Sequence, residues 1–191
     1  MGERASGRGR LSPAGYRGRR DGGSSPEEGG GGPGPGEPAG PTMEQVRGEL
    51  MGIQNCTDLR VLDLGGKISD SQVCGHLSAV SGMRKLRSLN LLRANGVSGE
   101  LEAVKDLWHL SYLNLANTHV SGDLAAVANL TNLDDALMLH SSKVSRDLRA
   151  VRRLTKLRKL YLQDTNCSGD LANVAPLTEL KVLLLASTPI Y

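Results

Sequence analysis

The chain has 191 residues and a formal net charge of +3; aromatic residues make up 3% of it, and phenylalanine is absent. This length predicts one domain, or one domain with a tail, whose core must be built from aliphatic side chains. No apolar run reaches the ~18–20 residues that a membrane helix requires, and the first residues, MGERASGRGR, lack the apolar stretch of a secretory signal. We therefore expect a cytoplasmic protein.

Residues 1–42 contain 14 of the 24 glycines and 6 of the 8 prolines. A segment so poor in apolar side chains cannot offset its ordering entropy, so it is predicted to be a disordered tail. Its first 20 residues carry six arginines and one acidic residue. This Arg/Gly segment could touch RNA or an anionic surface, but a solubilising leader is the interpretation we favour.

From residue 43 onward the chain repeats itself. Six units are aligned by their apolar positions, and they begin with VRGELMGIQNCTDL (46–59), ISDSQVCGHLSAVSGMRKL (68–86), VSGELEAVKDLWHL (97–110), VSGDLAAVANLTNL (120–133), VSRDLRAVRRLTKL (144–157) and CSGDLANVAPLTEL (167–180). Each is followed by a leucine stretch, and the last leucines of these stretches are residues 64, 91, 115, 139, 162 and 185. A period near 23–24 residues indicates a repeat array over residues 43–191, in which stacked units share one core.

This sequence pattern, L-x-x-L-x-L followed by V-S-G-D/E-L, resembles the repeat unit of the leucine-rich repeat proteins of the plant and microbial-eukaryote type. The resemblance implies an α/β-type solenoid. Its concave wall would be a parallel β-sheet, and its convex side would carry turns and 3₁₀ or short helical segments. It also implies a binding module without catalysis.

Alternation along each strand predicts that the leucines point inward and the residues between them point outward. A second inward column is expected at Leu50, Leu77, Leu101, Leu124, Leu148 and Leu171, beside a valine or isoleucine column at residues 46, 68, 97, 120 and 144. Cys167 stands in the valine column and Cys56 in a leucine column, so both are predicted to be core residues.

Three departures from the template carry expectations. Thr118, Ser142, Thr165 and Thr188 replace the usual turn asparagine and should satisfy the buried turn backbone less completely. Arg146 stands in a glycine column, which suggests that this column does not require a positive φ. The second unit has an insertion around residues 69–76, expected to be a surface loop.

The charged and titratable residues do not form a catalytic or metal motif. An acidic column, Glu49, Glu100, Asp123, Asp147 and Asp170, could in principle bind Ca²⁺, but capping of nearby turn amides is the favoured interpretation. No catalytic, phosphate-loop or zinc spacing is present in the sequence. We predict no enzyme, no metal and no cofactor.

The outward strand positions are the candidate binding face. They are Asp63, Asn90, Asn114, Met138 and Tyr161 in one row, Ser88, Tyr112 and Lys159 in a second, and His140 and Gln163 in a third that also contains Ala116. Leu184 extends the first row and Val182 the second. Aromatic, amide and thioether side chains with few repeated charges are typical of a protein-contact surface.

Two other features are candidate contact sites. Trp108 occupies a column of threonines and is either an exposed anchor or a ring folded over the edge of the array. The fifth unit is basic, through Lys143, Arg146, Arg149, Arg152, Arg153 and Lys156. It could bind an acidic partner, anionic lipid or RNA, although acids elsewhere in the array balance its charge.

The sequence therefore predicts a scaffold that binds a protein or peptide, with nucleic acid or an anionic membrane as less favoured partners. The alternative is a fragment of a receptor-like extracellular protein, which the glycosylation sequons at Asn55, Asn129 and Asn166 would suit. The last unit has no polar cap, so we expect either a longer array or self-association at that end.

Overall fold

The computed structural model describes residues 48–66 and 72–191. The predicted tail over residues 1–42 lies outside these ranges, as do Val46 and Ile68. None of the helices in the described ranges is long and apolar enough to cross a membrane.

Each unit is a coil of one short strand, a 3₁₀ helix, a second short strand and connecting turns. The strands are β1 Gly48–Glu49, β2 Val61–Asp63, β3 Val73–His76, β4 Ser88–Asn90, β5 Gly96–Glu100, β6 Tyr112–Asn114, β7 His119–Asp123, β8 Ala136–Met138, β9 Lys143–Asp147, β10 Lys159–Tyr161, β11 Asn166–Ser168 and β12 Val182–Leu184. The 3₁₀ helices are Leu50–Ile53, Leu77–Val80, Leu101–Val104, Leu124–Val127, Leu148–Arg153 and Leu171–Val174.

The even-numbered strands form the predicted sheet on the concave wall, in the parallel order β2-β4-β6-β8-β10-β12. Its register places the central leucines in line, with Leu89 opposite Leu113 and Leu137 opposite Leu160. The central leucines are buried, so the predicted inward phase is confirmed, although Asn114 and Ala116 of the predicted outward rows are buried as well. We call this six-stranded layer the concave sheet.

A second parallel sheet, which the sequence pattern did not indicate, runs along the other edge in the order β1-β3-β5-β7-β9-β11. It is formed by the V-S-G-D/E segments, whose valine points into the core while the neighbouring residues remain outside. Val97, Val120 and Val144 are completely buried. Four or five residues are too few to show a clear period of two, so the sequence alone does not reveal a strand here.

The core is one continuous stack of leucines between the two sheets. Leu113, Leu137 and Leu160 of the concave sheet are fully buried, as are Leu101, Leu124 and Leu148 at the start of the 3₁₀ helices. Cys167 fills the valine column as predicted, and it is fully buried. Because each unit covers the leucines of its neighbours, repetition itself supplies the core.

Two core predictions at the outer units were wrong. Cys56 is exposed, and Leu171 is 48% exposed. Cys56 lies in the first described unit and Leu171 in the last. Other residues of the same two units, Leu50 and Leu177, are buried, so a column position alone does not decide burial at the outer units.

The second unit also differs from its alignment. In this sheet the glycine of one unit pairs with the valine of the next, as Gly99 does with Val120. Gly48 pairs in the same way with Val73, and Gly75 with Val97. Val73, not Ile68, therefore occupies the valine column. The part of the insertion at Val73–His76 is strand β3 rather than a surface loop. The extra residues of this unit therefore precede Gln72.

The glycine column does adopt positive φ, so the expectation drawn from Arg146 was wrong. Gly75, Gly99, Gly122 and Gly169 have φ between 105° and 118°, and Arg146 itself has φ 90°. A side chain in this region costs about 1–2 kcal/mol. The neighbouring units impose the conformation on Arg146 because β9 is paired on both sides.

Replacing Arg146 by glycine is expected to raise the free energy of unfolding by roughly 0.5–1 kcal/mol, because relief of strain exceeds the entropy gained by the unfolded chain. The ion pair that is lost, Arg146 Nε to Asp123 Oδ2 at 3.9 Å, is exposed and contributes little. Urea unfolding measures the change. The matched control is Arg149→Gly, in a 3₁₀ helix with ordinary φ, which should destabilise. A loss of stability in Arg146→Gly would contradict the strain argument.

Candidate functional site

The register of the concave sheet brings the predicted outward residues into the expected rows. Asp63 pairs with Asn90, Asn90 with Asn114, Asn114 with Met138, and Met138 with Tyr161. In the second row, Ser88 is followed by Tyr112, then by Ala136 and Lys159. The alignment missed Ala136 because its leucine stretch contains one extra residue. In the third row, the backbone bond from Ser141 N to Gln163 O places His140 beside Gln163.

In the first three units the polar groups of this face are satisfied within the protein. Asn90 Nδ2 donates to Asp63 Oδ1 at 2.9 Å, and Asn90 Oδ1 accepts from Leu92 N at 3.2 Å. Asn114 is buried; its Oδ1 accepts from Ala116 N, and its Nδ2 donates to the Tyr112 hydroxyl at 3.1 Å. These side chains stiffen the sheet and leave few groups for a ligand.

Units four and five differ, because two enclosed polar atoms on this face have no hydrogen-bond partner among the described residues. They are His140 Nδ1 and Gln163 Oε1. The His140 ring stands edge-on to Tyr161, with ring centroids 6.2 Å apart and planes at 77°. Met138 lies beside Tyr161 in the adjoining strand. The apolar side chains of Met138 and Tyr161 thus lie beside two unpaired polar atoms, and we call the group Met138, His140, Tyr161 and Gln163 the bed.

Beside this bed, the second row contains the small side chain of Ala136. It is fully buried and lies between Tyr112 and Lys159 in the register. The Lys159 ammonium donates to Asp135 Oδ1 at 3.0 Å. This hydrogen bond, followed by the charge of Asp135 and smaller effects of Tyr161 and Tyr112, raises the pKa of Lys159. Lys159 is therefore charged and paired with Asp135 at the edge of the second row.

Burial lowers the pKa of His140 below its ordinary value of 6.5, and the negative charge of Asp164 opposes this effect only in part. The imidazole is therefore neutral at pH 7. In that state one ring nitrogen donates and the other accepts, so Nδ1 can pair with either kind of ligand group, depending on the tautomer.

The lowered pKa predicts that acid destabilises the fold through His140. The unfolded chain takes up this proton near pH 6.5 and the folded protein only at lower pH, so stability should fall as the pH drops from about 7.5 through 6.5 towards the folded pKa. Melting temperatures at pH 7.5, 6.5 and 5.5 measure this slope. His140→Gln should show a shallower slope, because the other three histidines remain in both proteins. Identical slopes would contradict the prediction.

The acidic column caps the 3₁₀ helices, as the favoured interpretation predicted. The Oδ1 atoms of Asp123, Asp147 and Asp170 accept from the amides two residues later at 2.7–2.8 Å. Glu49 and Glu100 make no such bond. No group of three or more histidine, cysteine or acidic side chains suited to a metal ion is found in the described ranges.

Trp108 is an exposed ring at the edge of the array, 50% accessible. The Arg84 guanidinium carbon lies 5.9 Å from the ring centroid. The ring thus stands outside the concave sheet and partners a cation from the preceding unit. It does not adjoin the His140 and Gln163 side chains.

The basic residues of the fifth unit lie away from the concave sheet. Lys143 and Arg146 are on β9, Arg149, Arg152 and Arg153 are on the 3₁₀ helix, and Lys156 is in the next turn. All six are exposed. Arg153 Nη1 donates to Asn129 Oδ1 at 3.2 Å, and Arg146 is near Asp123. The predicted role of this patch stays a prediction.

Comparison with known proteins finds likeness in structure only. No protein-family model and no curated protein matches the sequence. Among solved structures, the plant peptide hormone receptor RGFR1 in complex with RGF2 matches 74% of this chain at TM-score 0.59 and 20% identity, and internalin C2 of Listeria monocytogenes matches 77% at 0.58 and 22%. A leucine-rich repeat protein of Leptospira interrogans matches 73% at TM-score 0.58 and 20% identity. The chain spans 26%, 70% and 34% of these three proteins, respectively.

The stacked coils, the two parallel sheets and the continuous leucine core define a repeat solenoid. Its fold is that of the leucine-rich repeat proteins, as the sequence resemblance implied.

Proposed function

We propose that this protein is a non-catalytic module that binds a peptide or protein segment on its concave sheet, centred on units three to five. The observation that carries the proposal is the pair of enclosed, unpartnered atoms, His140 Nδ1 and Gln163 Oε1, beside the Tyr161 ring. Both atoms are enclosed, so a ligand reaches them only when the two side chains turn outward. An unsatisfied buried polar group costs about 1–3 kcal/mol, and this free energy favours that turn.

The chemistry of this bed suits an extended peptide. Once the two side chains turn outward, a backbone amide can donate to Gln163 Oε1 and a second backbone group can pair with His140 Nδ1. Tyr161 and Met138 offer apolar area to a side chain. Tyrosines are enriched among the residues that dominate binding energy. Ala136, between Tyr112 and Lys159 in the register, presents only a methyl group next to this site.

The fold neighbours make a peptide the natural first probe, since the plant receptor is a peptide hormone receptor in complex with RGF2. At 20% identity that likeness supports the fold alone. The proposed ligand position therefore rests on this chain's own side chains, and the neighbours give no information on the ligand sequence.

Selection from a peptide-display library, followed by titration of the selected peptides, tests the proposal. Tyr161→Ala is expected to weaken binding at least tenfold, about 1.4 kcal/mol, and His140→Ala and Gln163→Ala each several-fold. Asp63→Asn is the matched control, because it lies in the same row of the sheet but far along it from Tyr161, in the first unit, and it should leave the affinity unchanged. Peptides that bind the three alanine variants as tightly as the wild type would overturn the proposed site.

Cellular location and the less favoured partners stay predictions. The cytoplasmic expectation would be overturned by N-linked glycans at Asn55, Asn129 or Asn166, all of which are exposed. Glycosidase treatment of the native protein, with a mass measurement before and after, detects them. RNA association through residues 1–42 would show as binding that is lost when they are removed and that falls steeply with salt.

A further inference from the structure

A basic cluster lies at the edge of the array where the first strands of the concave sheet begin, and the sequence pattern did not single it out. Arg60, Lys85, Arg87 and His109 together line one shallow cavity. All four side chains are exposed. We call them the edge cluster.

The repeat geometry explains why these side chains converge. Arg60 and Arg87 occupy the same position in successive leucine stretches, and the amides of Arg87 and Ser88 both donate to Arg60 O, at 2.7 and 3.1 Å. Lys85 and His109 share another position, each directly before the first leucine of its stretch. Two columns of successive units therefore meet at one edge.

The charge of the edge cluster is only partly compensated. Asp58 forms an ion pair with Lys85. The hydrogen bond from Lys85, then its charge, and more weakly the charge of Arg60 lower the pKa of Asp58, while desolvation opposes them. Neither Arg60 nor Arg87 has a carboxylate within ion-pair distance in the part of the chain that the structure describes. Three cationic side chains and one carboxylate leave a net charge of +2 around the cavity.

We propose that the edge cluster binds a phosphate monoester or inorganic phosphate. Arginine presents planar forks of N–H donors that match phosphate oxygens, lysine adds a compact charge, and the histidine ring adds a further N–H. The lining side chains offer mainly donors and a net positive charge, which favours an anionic ligand. A dianion at pH 7.4 matches the net charge of +2, whereas a phosphodiester carries one negative charge only.

This proposal is independent of the concave site, because the two use different side chains. The chain's single tryptophan gives a direct readout. Trp108 adjoins His109 in sequence, and its ring faces Arg84, which adjoins Lys85.

The test is titration with inorganic phosphate at pH 7.4 and constant ionic strength, followed by Trp108 fluorescence and by calorimetry. Saturable binding is expected, and Arg60→Gln with Arg87→Gln should weaken it at least tenfold. Lys181→Gln is the matched control: it occupies the same column in the sixth unit, where the lysine position holds Glu179, and should bind like the wild type. Because all these residues are exposed, circular dichroism should show unchanged folding.

Parallel titrations with phosphoserine and dimethyl phosphate identify the source of the anion. Tighter binding of phosphoserine than of inorganic phosphate would assign the site to phosphorylated protein segments, and the reverse order to small phosphates. The proposal is overturned if binding does not saturate, if dimethyl phosphate binds as tightly as the monoester, or if the double variant keeps the wild-type affinity. Tyr161→Ala should bind phosphate normally, so failure here is distinguishable from failure at the concave site.

Discussion

Leu160→Asp is expected to unfold units four to six, roughly residues 120–180, in one cooperative step. Leu160 is the fully buried centre of β10, opposite Leu137 and Leu183. A carboxylate there has no partner and no water, so the cost exceeds about 4 kcal/mol and removes the contacts on which both neighbouring units depend. A thermal melt followed by circular dichroism should show most of the signal lost at room temperature.

Two control variants show whether the effect comes from the buried charge at residue 160. Leu160→Met keeps the volume and should cost less than about 1.5 kcal/mol. Tyr161→Asp places the same charge one residue later, on the outward face, and should leave the array folded. A melt of Leu160→Asp that matches the wild type would show that the leucine phase is wrong.

The second large effect is expected when the buried hydroxyls of the turns are removed. Thr118 Oγ1 donates to Leu115 O at 2.6 Å and accepts from Val120 N at 3.4 Å. Ser142 and Thr165 repeat the pattern one and two units later. Each hydroxyl therefore pairs with both a carbonyl and an amide, so the turn backbone is better satisfied than the sequence led us to expect.

The double variant Thr118→Val and Thr165→Val keeps the shape and removes the four hydrogen bonds that these hydroxyls make with two carbonyls and two amides. It should lower the free energy of unfolding by roughly 2–5 kcal/mol, and the two effects should add because the sites are two units apart. The control is Thr131→Val with Thr155→Val, exposed threonines in the same array, expected to change stability by less than about 0.5 kcal/mol. Equal urea midpoints for the two double variants would contradict the role of the hydroxyls.

The leucine phase could be predicted because six registered copies repeat one alternation, so an error of one residue would expose every leucine. The rows of the concave face followed from the same phase. The positive φ of Arg146 could not be predicted, because arginine is not a residue type that favours it. The strands paired with β9 on both sides impose it. The exposure of Cys56 and Leu171 could not be predicted from the columns, because Leu50 and Leu177 of the same outer units are buried.

The sequence predicted which face of the array is the candidate binding surface, but not where on that face the site is centred. Sequence placed Asn90, Asn114, His140 and Gln163 on one face. It could not show that the two asparagines are satisfied internally while His140 Nδ1 and Gln163 Oε1 are not, because that difference depends on side-chain geometry. The edge cluster was missed for a similar reason: its four residues belong to two columns that meet only when the units stack.

The most direct test of the proposed function is a side-chain nuclear magnetic resonance spectrum of the protein with and without a selected peptide. The Met138 methyl group and the Gln163 side-chain amide should shift on binding, because both lie in the proposed bed. The methyl groups of Met83, which is fully buried, and Met51, which is exposed on the 3₁₀ helix of the first unit, should not. Shifts at Met51 with Met138 and Gln163 unchanged would contradict binding on the concave sheet.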